Sequence, residues 1–103
     1  MLELPAGTLE PGETALEAAD RELAEECGLA ASGWTELGSF WAAPAYSTER
    51  VTVLAGTVSD TAHGDADEDE EIEMVLMRPA DALPRLEDAG SVAALGLWMR
   101  DYG

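Results

Sequence analysis

The sequence predicts an α/β fold in which a mixed β-sheet packs between helices. Helical and extended patterns alternate along the 103 residues, and such alternation favours layers of helix and sheet. One helix is marked at both ends by capping signals, and three apolar runs have the length and composition of strands. A chain of this length has the size of one domain, which we expect to span residues 1–103.

The first element is a short extended segment, residues 2–4, which we expect to be the end of a strand. Residues 4–7 (Leu-Pro-Ala-Gly) turn it into a loop, and residues 10–13 (Glu-Pro-Gly-Glu) have the composition of a turn.

A helix is predicted next. Thr14 and Glu17 have the spacing of a capping box, so the helix is expected to begin at Ala15. Gly28 is placed to end it in a left-handed cap. Four residues form the side that we expect to be buried: Leu16, Ala19, Leu23 and Cys27.

Two strands are predicted after the helix, over residues 34–41 and 50–58, with a loop over residues 42–49 between them. In the second strand one face is apolar and consists of Val51, Val53 and Ala55. Residues 59–71 are polar and acidic, which predicts a loop.

The last third of the chain predicts a buried strand over residues 72–77 and a short helix or turn that opens at Pro79. Ser91 can cap a final helix that carries Val92, Leu95 and Trp98. The three tryptophans, Trp34, Trp41 and Trp98, are expected in the core.

Three carboxylates lie close together on the first helix. At about 100° per residue, Glu22 and Glu26 are one turn apart on one face, and Glu25 lies beside them. Such neighbours repel each other by a few tenths of a kcal/mol per pair, and a bound divalent cation removes this cost. Oxygen donors suit Mg²⁺ or Mn²⁺. Taken alone, however, three Glu residues more often mark a solvated acidic face.

The segment Gly7–Leu29 resembles the signature of the Nudix hydrolases. It contains Gly7, Glu13 after five residues, Arg21-Glu22-Leu23 after seven more, then Glu25-Glu26 and Gly28-Leu29, each after one residue. Every fixed position of that signature is filled. The resemblance implies an α/β/α sandwich with a mixed sheet and a metal-dependent hydrolase of nucleoside diphosphates linked to another group.

The resemblance also implies roles for single residues. Glu22 and Glu26 would bind the metal, Glu25 would complete or orient its shell, and the Ala6 carbonyl would contribute a further ligand. Four residues would support the motif structurally: Gly7, Glu13, Arg21 and Gly28.

Two further segments are similar to one Nudix branch, the ADP-ribose pyrophosphatases. Pro44 lies 16 residues beyond Gly28, where that branch carries a proline, and Ser47-Thr48-Glu49-Arg50 follows it. The resemblance implies that Pro44 contacts the ribose and that Glu49 holds the terminal sugar.

The second segment is the acidic run over residues 66–72. Matched residue by residue, it implies that Glu68 is the general base and that Glu70 reaches a metal. The register of this run is ambiguous, so that Asp67 or Asp69 could substitute.

The net charge of −17 argues against nucleic acids as partners, because these are bound through Lys and Arg clusters. An anionic substrate would need a metal to neutralise it. No apolar run is long enough to span a membrane, no secretory signal is visible, and one Cys fits a reducing cytoplasm. A cytoplasmic location is therefore expected.

The pattern departs from the family at the beginning of the chain. Nudix domains normally have several strands ahead of the motif, whereas this chain has at most residues 2–4. We expect either part of a longer protein or a minimal domain whose partner completes the sheet. An open sheet edge favours association, so a homodimer is expected.

The sequence therefore predicts a Nudix pyrophosphohydrolase that uses Mg²⁺ or Mn²⁺. It would cleave ADP-ribose, or a related nucleoside diphosphate sugar, to AMP and ribose 5-phosphate. The alternatives are a general nucleotide or dinucleotide Nudix hydrolase and a truncated, non-catalytic nucleotide-binding Nudix domain.

Overall fold

The computed structural model describes residues 1–59 and 75–103. They contain both helices and paired strands, which confirms the α/β class. The elements in chain order are α1 (Ala15–Cys27), β1 (Ala31–Trp41), β2 (Arg50–Val58), α2 (Pro79–Ala82), a 3-10 turn (Leu83–Arg85) and α3 (Ala89–Tyr102). None of the helices in these residues is long and apolar enough to cross a membrane.

The chain divides into two compact units. The core unit consists of Met1–Leu4, Glu36–Ala55 and Leu76–Gly103. The motif unit consists of Pro5–Thr35 and the described part of Gly56–Val75.

In the described residues the sheet has two strands, β1 and β2, which pair with each other. The Ala42 N–H donates to the Glu49 carbonyl at 3.0 Å, and the Ser59 N–H donates to the Ala30 carbonyl at 3.0 Å. These two hydrogen bonds lie beyond opposite ends of the strands, so the strands are antiparallel. The bounds of β2 are those predicted, and Val53 is buried on the predicted apolar face.

The core unit is built on apolar packing. Ala82, Leu86 and Leu95 form its buried cluster, and Leu95 is only 7% exposed. The partly buried residues packed against this cluster are Leu2, Met77, Leu83, Trp98 and Met99. In the same unit, the Arg100 Nη2 donates to the Leu37 carbonyl at 3.0 Å.

The predicted cap of the last helix is wrong. Asp88 is the N-cap of α3, and its Oδ2 accepts the Ser91 N–H at 2.9 Å. Ser91 is 4% exposed, and its hydroxyl oxygen accepts the Leu4 N–H at 2.9 Å. Hydrogen bonds from Ser91 lower the pKa of Asp88, as expected for a carboxylate that caps a helix.

The predicted strand over residues 2–4, the described part of the predicted strand over residues 72–77 and one predicted core residue are also wrong. Residues 2–4 form no strand, and the Leu4 N–H bonds to a side chain instead of a neighbouring strand. Val75–Met77 are not in a strand, and Leu76 is 85% exposed; residues 72–74 lie outside the described residues. Trp41, expected in the core, is 49% exposed.

Candidate metal centre on helix α1

Helix α1 begins and ends where the sequence predicts. The Thr14 hydroxyl accepts the Glu17 N–H at 3.1 Å, and the Glu17 carboxylate accepts the Thr14 N–H at 3.0 Å, which together form the capping box. Hydrogen bonds from the backbone N–H and the side chain of Thr14 lower the pKa of the Glu17 carboxyl. At the other end Gly28 has a φ of 66°, the left-handed conformation that a residue without a Cβ adopts at least cost.

The buried side of α1 is smaller than predicted. Ala18 is the buried residue of this helix, at 6% exposure, whereas Leu16 is 45% exposed. Ala19, Leu23 and Cys27 are half-buried, and burial raises the pKa of the Cys27 thiol. Apolar packing therefore fixes α1 only weakly within the motif unit.

Arg21 joins the loop before the helix to the helix itself. Its Nε donates to Glu13 Oε2 at 2.8 Å, and its Nη2 donates to Glu13 Oε1 at 2.9 Å, which makes the pair bidentate. The same Nη2 donates to the Thr8 carbonyl at 3.0 Å. The Arg21 hydrogen bond lowers the pKa of Glu13 to about 2. These contacts join Glu13 and Arg21, the two residues whose supporting role remains a prediction.

The remaining Arg21 nitrogen, Nη1, contacts two of the candidate metal ligands. It donates to Glu22 Oε1 at 2.8 Å and to Glu25 Oε2 at 3.3 Å. The Glu22 side chain is 19% exposed, whereas the Glu25 side chain is 51% exposed. Arg21 thus holds two carboxylates of α1 and the loop carboxylate Glu13 around one guanidinium.

The absence of a side chain at Gly7 leaves room for the Glu22 carboxylate against the loop. A Cβ added at Gly7 would overlap the side chain of Glu22. Any residue other than glycine would therefore displace this carboxylate or the loop. Ala6, the predicted carbonyl ligand, is the exposed residue that precedes Gly7.

The candidate metal ligands are oxygen donors, the type of ligand that a hard divalent cation binds. Glu22 and Glu26 offer carboxylate oxygens one turn apart on α1, and both are half-buried. Within residues 1–59 and 75–103, no three acidic, His or Cys side chains converge closely enough to hold a metal by themselves. The predicted ligand Glu70, the predicted base Glu68 and the alternatives Asp67 and Asp69 lie outside the described residues.

The predicted substrate residues Pro44 and Glu49 belong to the core unit. Pro44 is exposed in a turn in which the Tyr46 and Ser47 N–H groups both donate to the Ala43 carbonyl, at 2.9 and 2.8 Å. Glu49 is exposed, and its N–H donates to the Ser47 hydroxyl at 3.0 Å.

Three side-chain contacts, made by Trp34 and by Arg50, were not predicted from the sequence. In the motif unit, the Trp34 Nε1–H donates to Asp20 Oδ1 at 2.8 Å. In the core unit, the Arg50 guanidinium lies 4.5 Å from the centre of the Trp41 ring and donates to the Ser39 hydroxyl at 2.7 Å. None of these contacts has a local sequence signal, because each joins residues that the fold alone brings together.

Comparison with known proteins gives one family. A family profile described as NUDIX domain matches residues 1–95. The ADP-ribose pyrophosphatase of Escherichia coli (strain K12) is 35% identical over 104 residues, which cover 92% of this chain and 50% of that protein. The ADP-ribose pyrophosphatase of Bacillus subtilis (strain 168) is 38% identical over 89 residues, which cover 84% of this chain and 48% of that protein.

A second kind of relative appears beside these. The ADP compounds hydrolase NudE of Escherichia coli (strain K12) is 32% identical over 105 residues, which cover 94% of this chain and 56% of that protein. A crystal structure of an ADP compounds hydrolase matches with a TM-score of 0.74 at 31% identity, over 92% of this chain and 56% of that chain. The chain thus spans about half the length of the curated relatives it matches.

Proposed function

This chain belongs to the NUDIX family, and we propose that it is a Nudix pyrophosphohydrolase that cleaves the diphosphate of ADP-ribose or a related ADP compound. The observation that carries the proposal is the arrangement around Arg21. The residues that the family signature requires for support, Glu13 and Arg21, bond to each other, and the same guanidinium bonds Glu22. The names of the similar proteins support the substrate class.

The roles that we propose on α1 follow from its carboxylates. Glu22 and Glu26 would hold Mg²⁺ or Mn²⁺, with the Ala6 carbonyl and Glu70 as further ligands. When bound, the cation would neutralise negative charge on the phosphate oxygens and lower the pKa of a bound water molecule. Glu25 would orient Glu22 through the Arg21 Nη1 that both carboxylates share.

We propose that Glu68 takes the proton of the attacking water. The oxygen of this water would bond to one phosphorus, and the bond from that phosphorus to the bridging oxygen would break. ADP-ribose and water would give AMP and ribose 5-phosphate.

Glu68→Gln should lower kcat by about 10²- to 10⁴-fold without weakening metal binding, since a general base contributes that much. If Asp67→Asn or Glu70→Gln has this effect and Glu68→Gln does not, the neighbour is the base.

A broader specificity is the second candidate function. It is favoured by the similarity to NudE and to the crystal structure, since both of those proteins are described as hydrolases of ADP compounds. A panel of ADP-ribose, other nucleoside diphosphate sugars, dinucleotides and nucleoside triphosphates separates the two. The narrow proposal expects the highest kcat/KM for ADP-ribose, in which Pro44 and Glu49 would contact the sugar. A preference for triphosphates would contradict both candidates.

Metal binding can be tested independently of the substrate. Millimolar Mg²⁺ or micromolar Mn²⁺ should raise the Tm, since a ligand that binds only the folded state stabilises it by mass action. Glu26→Gln should abolish the rise, and Glu36→Gln, an exposed position in the core unit, should leave it unchanged. A wild-type Tm that does not respond to either metal would contradict the metal site.

Substrate binding without turnover would identify the non-catalytic alternative. In that case ADP-ribose would raise the Tm while no AMP is released in the presence of Mg²⁺.

We also propose a homodimer in the cytoplasm. Light scattering should then give twice the chain mass of 10.9 kDa.

A further inference from the structure

Trp34 links β1 to the helix that carries the candidate metal ligands. Its Nε1–H donates to Asp20 Oδ1 at 2.8 Å, and both residues belong to the motif unit. An indole N–H that donates to a carboxylate forms a charge-assisted hydrogen bond, which is stronger than a bond between neutral groups.

The Trp34 ring is also held on its face. A Cβ added at Gly56 on β2 would lie 2.8 Å from the Trp34 Cε3 and 3.0 Å from its Cδ2. The ring therefore packs directly on the backbone of β2. The indole thus lies against β2 with its face and is bonded to Asp20 of α1 at its edge.

This contact matters because apolar burial fixes α1 so weakly. Ala18 is the buried residue of the helix, and Leu16 is 45% exposed. An alanine gives little resistance to rotation of the helix about its axis. Asp20 and Glu22 are two residues apart, so they project about 200° from each other around that axis. A bond at Asp20 therefore restrains the helix on the side opposite Glu22.

We propose that Trp34 and Asp20 are positioning residues for the metal centre. Their hydrogen bond sets the rotation of α1 about its axis, and with it the direction in which Glu22 and Glu26 present their carboxylates. This inference rests on the proposed function, because metal affinity is its main readout.

The test is Mn²⁺ binding by titration calorimetry on the 103-residue chain, well below the Tm of every variant. Trp34→Phe keeps a six-membered aromatic ring and removes the donor, and Asp20→Ala removes the acceptor. Each should weaken Mn²⁺ binding roughly three- to tenfold, because α1 is then no longer held in the orientation that presents Glu22 and Glu26. The bond is exposed to solvent, so that its contribution is about that of an ordinary hydrogen bond. The double variant should be no weaker than either single variant, because both changes remove the same bond.

Asp20→Asn is the control for charge. It removes the negative charge, as Asp20→Ala does, but its amide oxygen can still accept the indole N–H. Because a neutral acceptor makes a bond about half as strong, we expect Asp20→Asn to lower the Mn²⁺ affinity by at most about threefold, and by clearly less than Asp20→Ala does. Trp41→Phe, the same substitution in the core unit, should leave the affinity unchanged. Wild-type affinity in Trp34→Phe, or equal losses in Asp20→Asn and Asp20→Ala, would overturn the proposal.

A second readout keeps this inference separate from the proposed function. If the wild type does not bind Mn²⁺, the metal site is wrong, and the NMR signal of the Arg21 Nε–H decides the question of positioning. That N–H donates to Glu13 at 2.8 Å, so a rotation of α1 should shift or broaden its signal. We expect the change in Trp34→Phe and Asp20→Ala but not in Asp20→Asn. An unchanged signal in all three variants would overturn the positioning role.

Discussion

The core unit and the motif unit are stabilised by different kinds of contact. In the core unit, Ala82, Leu86 and Leu95 form a buried apolar cluster against which five further apolar residues pack. In the motif unit, α1 buries Ala18, and the loop before it is held by hydrogen bonds from the Arg21 guanidinium. The candidate metal ligands of α1 thus belong to the unit in which charged contacts replace apolar burial around the helix.

This difference separates what folds the chain from what arranges the candidate site. Apolar burial depends little on pH and salt, whereas contacts between charged groups depend on both. Substitutions in the apolar cluster should therefore change stability, and substitutions around Arg21 should change metal binding and the response to acid.

The largest effect is expected in the core unit. Leu95→Ala should lower the free energy of unfolding by about 2–5 kcal/mol, because it removes a buried side chain and leaves a cavity. Val92, on the same helix, is 41% exposed, so that Val92→Ala should cost far less. Urea unfolding monitored by circular dichroism measures both. Equal losses in the two variants would contradict the assignment of Leu95 to the cluster.

The next effect concerns the motif unit and its metal. Arg21→Lys keeps the positive charge but cannot make the bidentate pair with Glu13 and also reach Glu22 and the Thr8 carbonyl. Metal affinity should fall roughly 10- to 100-fold, as it does when groups that orient ligands are lost. Calorimetric titration with Mn²⁺ measures this.

Arg100→Lys is the matched control. Arg100 pairs with Asp101 at 2.8 Å and bonds the Leu37 carbonyl, but it belongs to the core unit. We expect Arg100→Lys to leave metal affinity at the wild-type value. If it weakens metal binding as much as Arg21→Lys does, the two units do not differ in the way described above.

Acid provides the third test. The Arg21 hydrogen bond lowers the pKa of Glu13 from 4.5 to about 2. A carboxylate whose pKa is lower in the folded state stabilises the fold above its unfolded pKa, and this contribution is lost as the pH falls through the folded pKa. Stability should therefore decrease between about pH 4.5 and 2.

Glu13→Gln removes this group from titration. Its stability should fall less steeply than that of the wild type over this pH range, when both are measured by Tm in low salt. The slope should not vanish, because hydrogen bonds also lower the pKa of Asp88 and of Glu17. Parallel curves for the two proteins would show that the Arg21–Glu13 pair does not contribute to acid stability.

Helix α1 could be predicted from the sequence because its determinants are local. Thr14 and Glu17 cap each other across three residues, and Gly28 ends the helix by its own backbone conformation. The pair of Glu13 and Arg21 was also predicted, because the family signature specifies both residues. For β2, the alternating apolar face and the flanking loop gave the correct bounds.

The rest depends on partners far apart in the sequence. Ser91 was predicted to cap α3, but its hydroxyl bonds Leu4, 87 residues away, and Asp88 caps the helix instead. Leu16 fits an apolar helix face but is exposed. The prediction failed because sequence periodicity shows which residues share a face and not how deeply a neighbouring element covers that face. The bond between Asp20 and Trp34 has no local signal for the same reason.

The smallest effect is expected at the first turn of α1. Thr14→Ala removes the hydroxyl that accepts the Glu17 N–H at 3.1 Å, and loss of such a cap costs about 1 kcal/mol. Thr14→Ser keeps the hydroxyl and should cost much less. Since α1 has little apolar burial to compensate, the loss should appear as faster hydrogen exchange of the amides in its first turn, while the amides of α3 keep their rates. Exchange in that turn that is slower or unchanged in Thr14→Ala would show that α1 is not stabilised by its cap. An equal effect on α3 would show the same. Either result would contradict the contrast between a charged, locally capped motif unit and an apolar core unit.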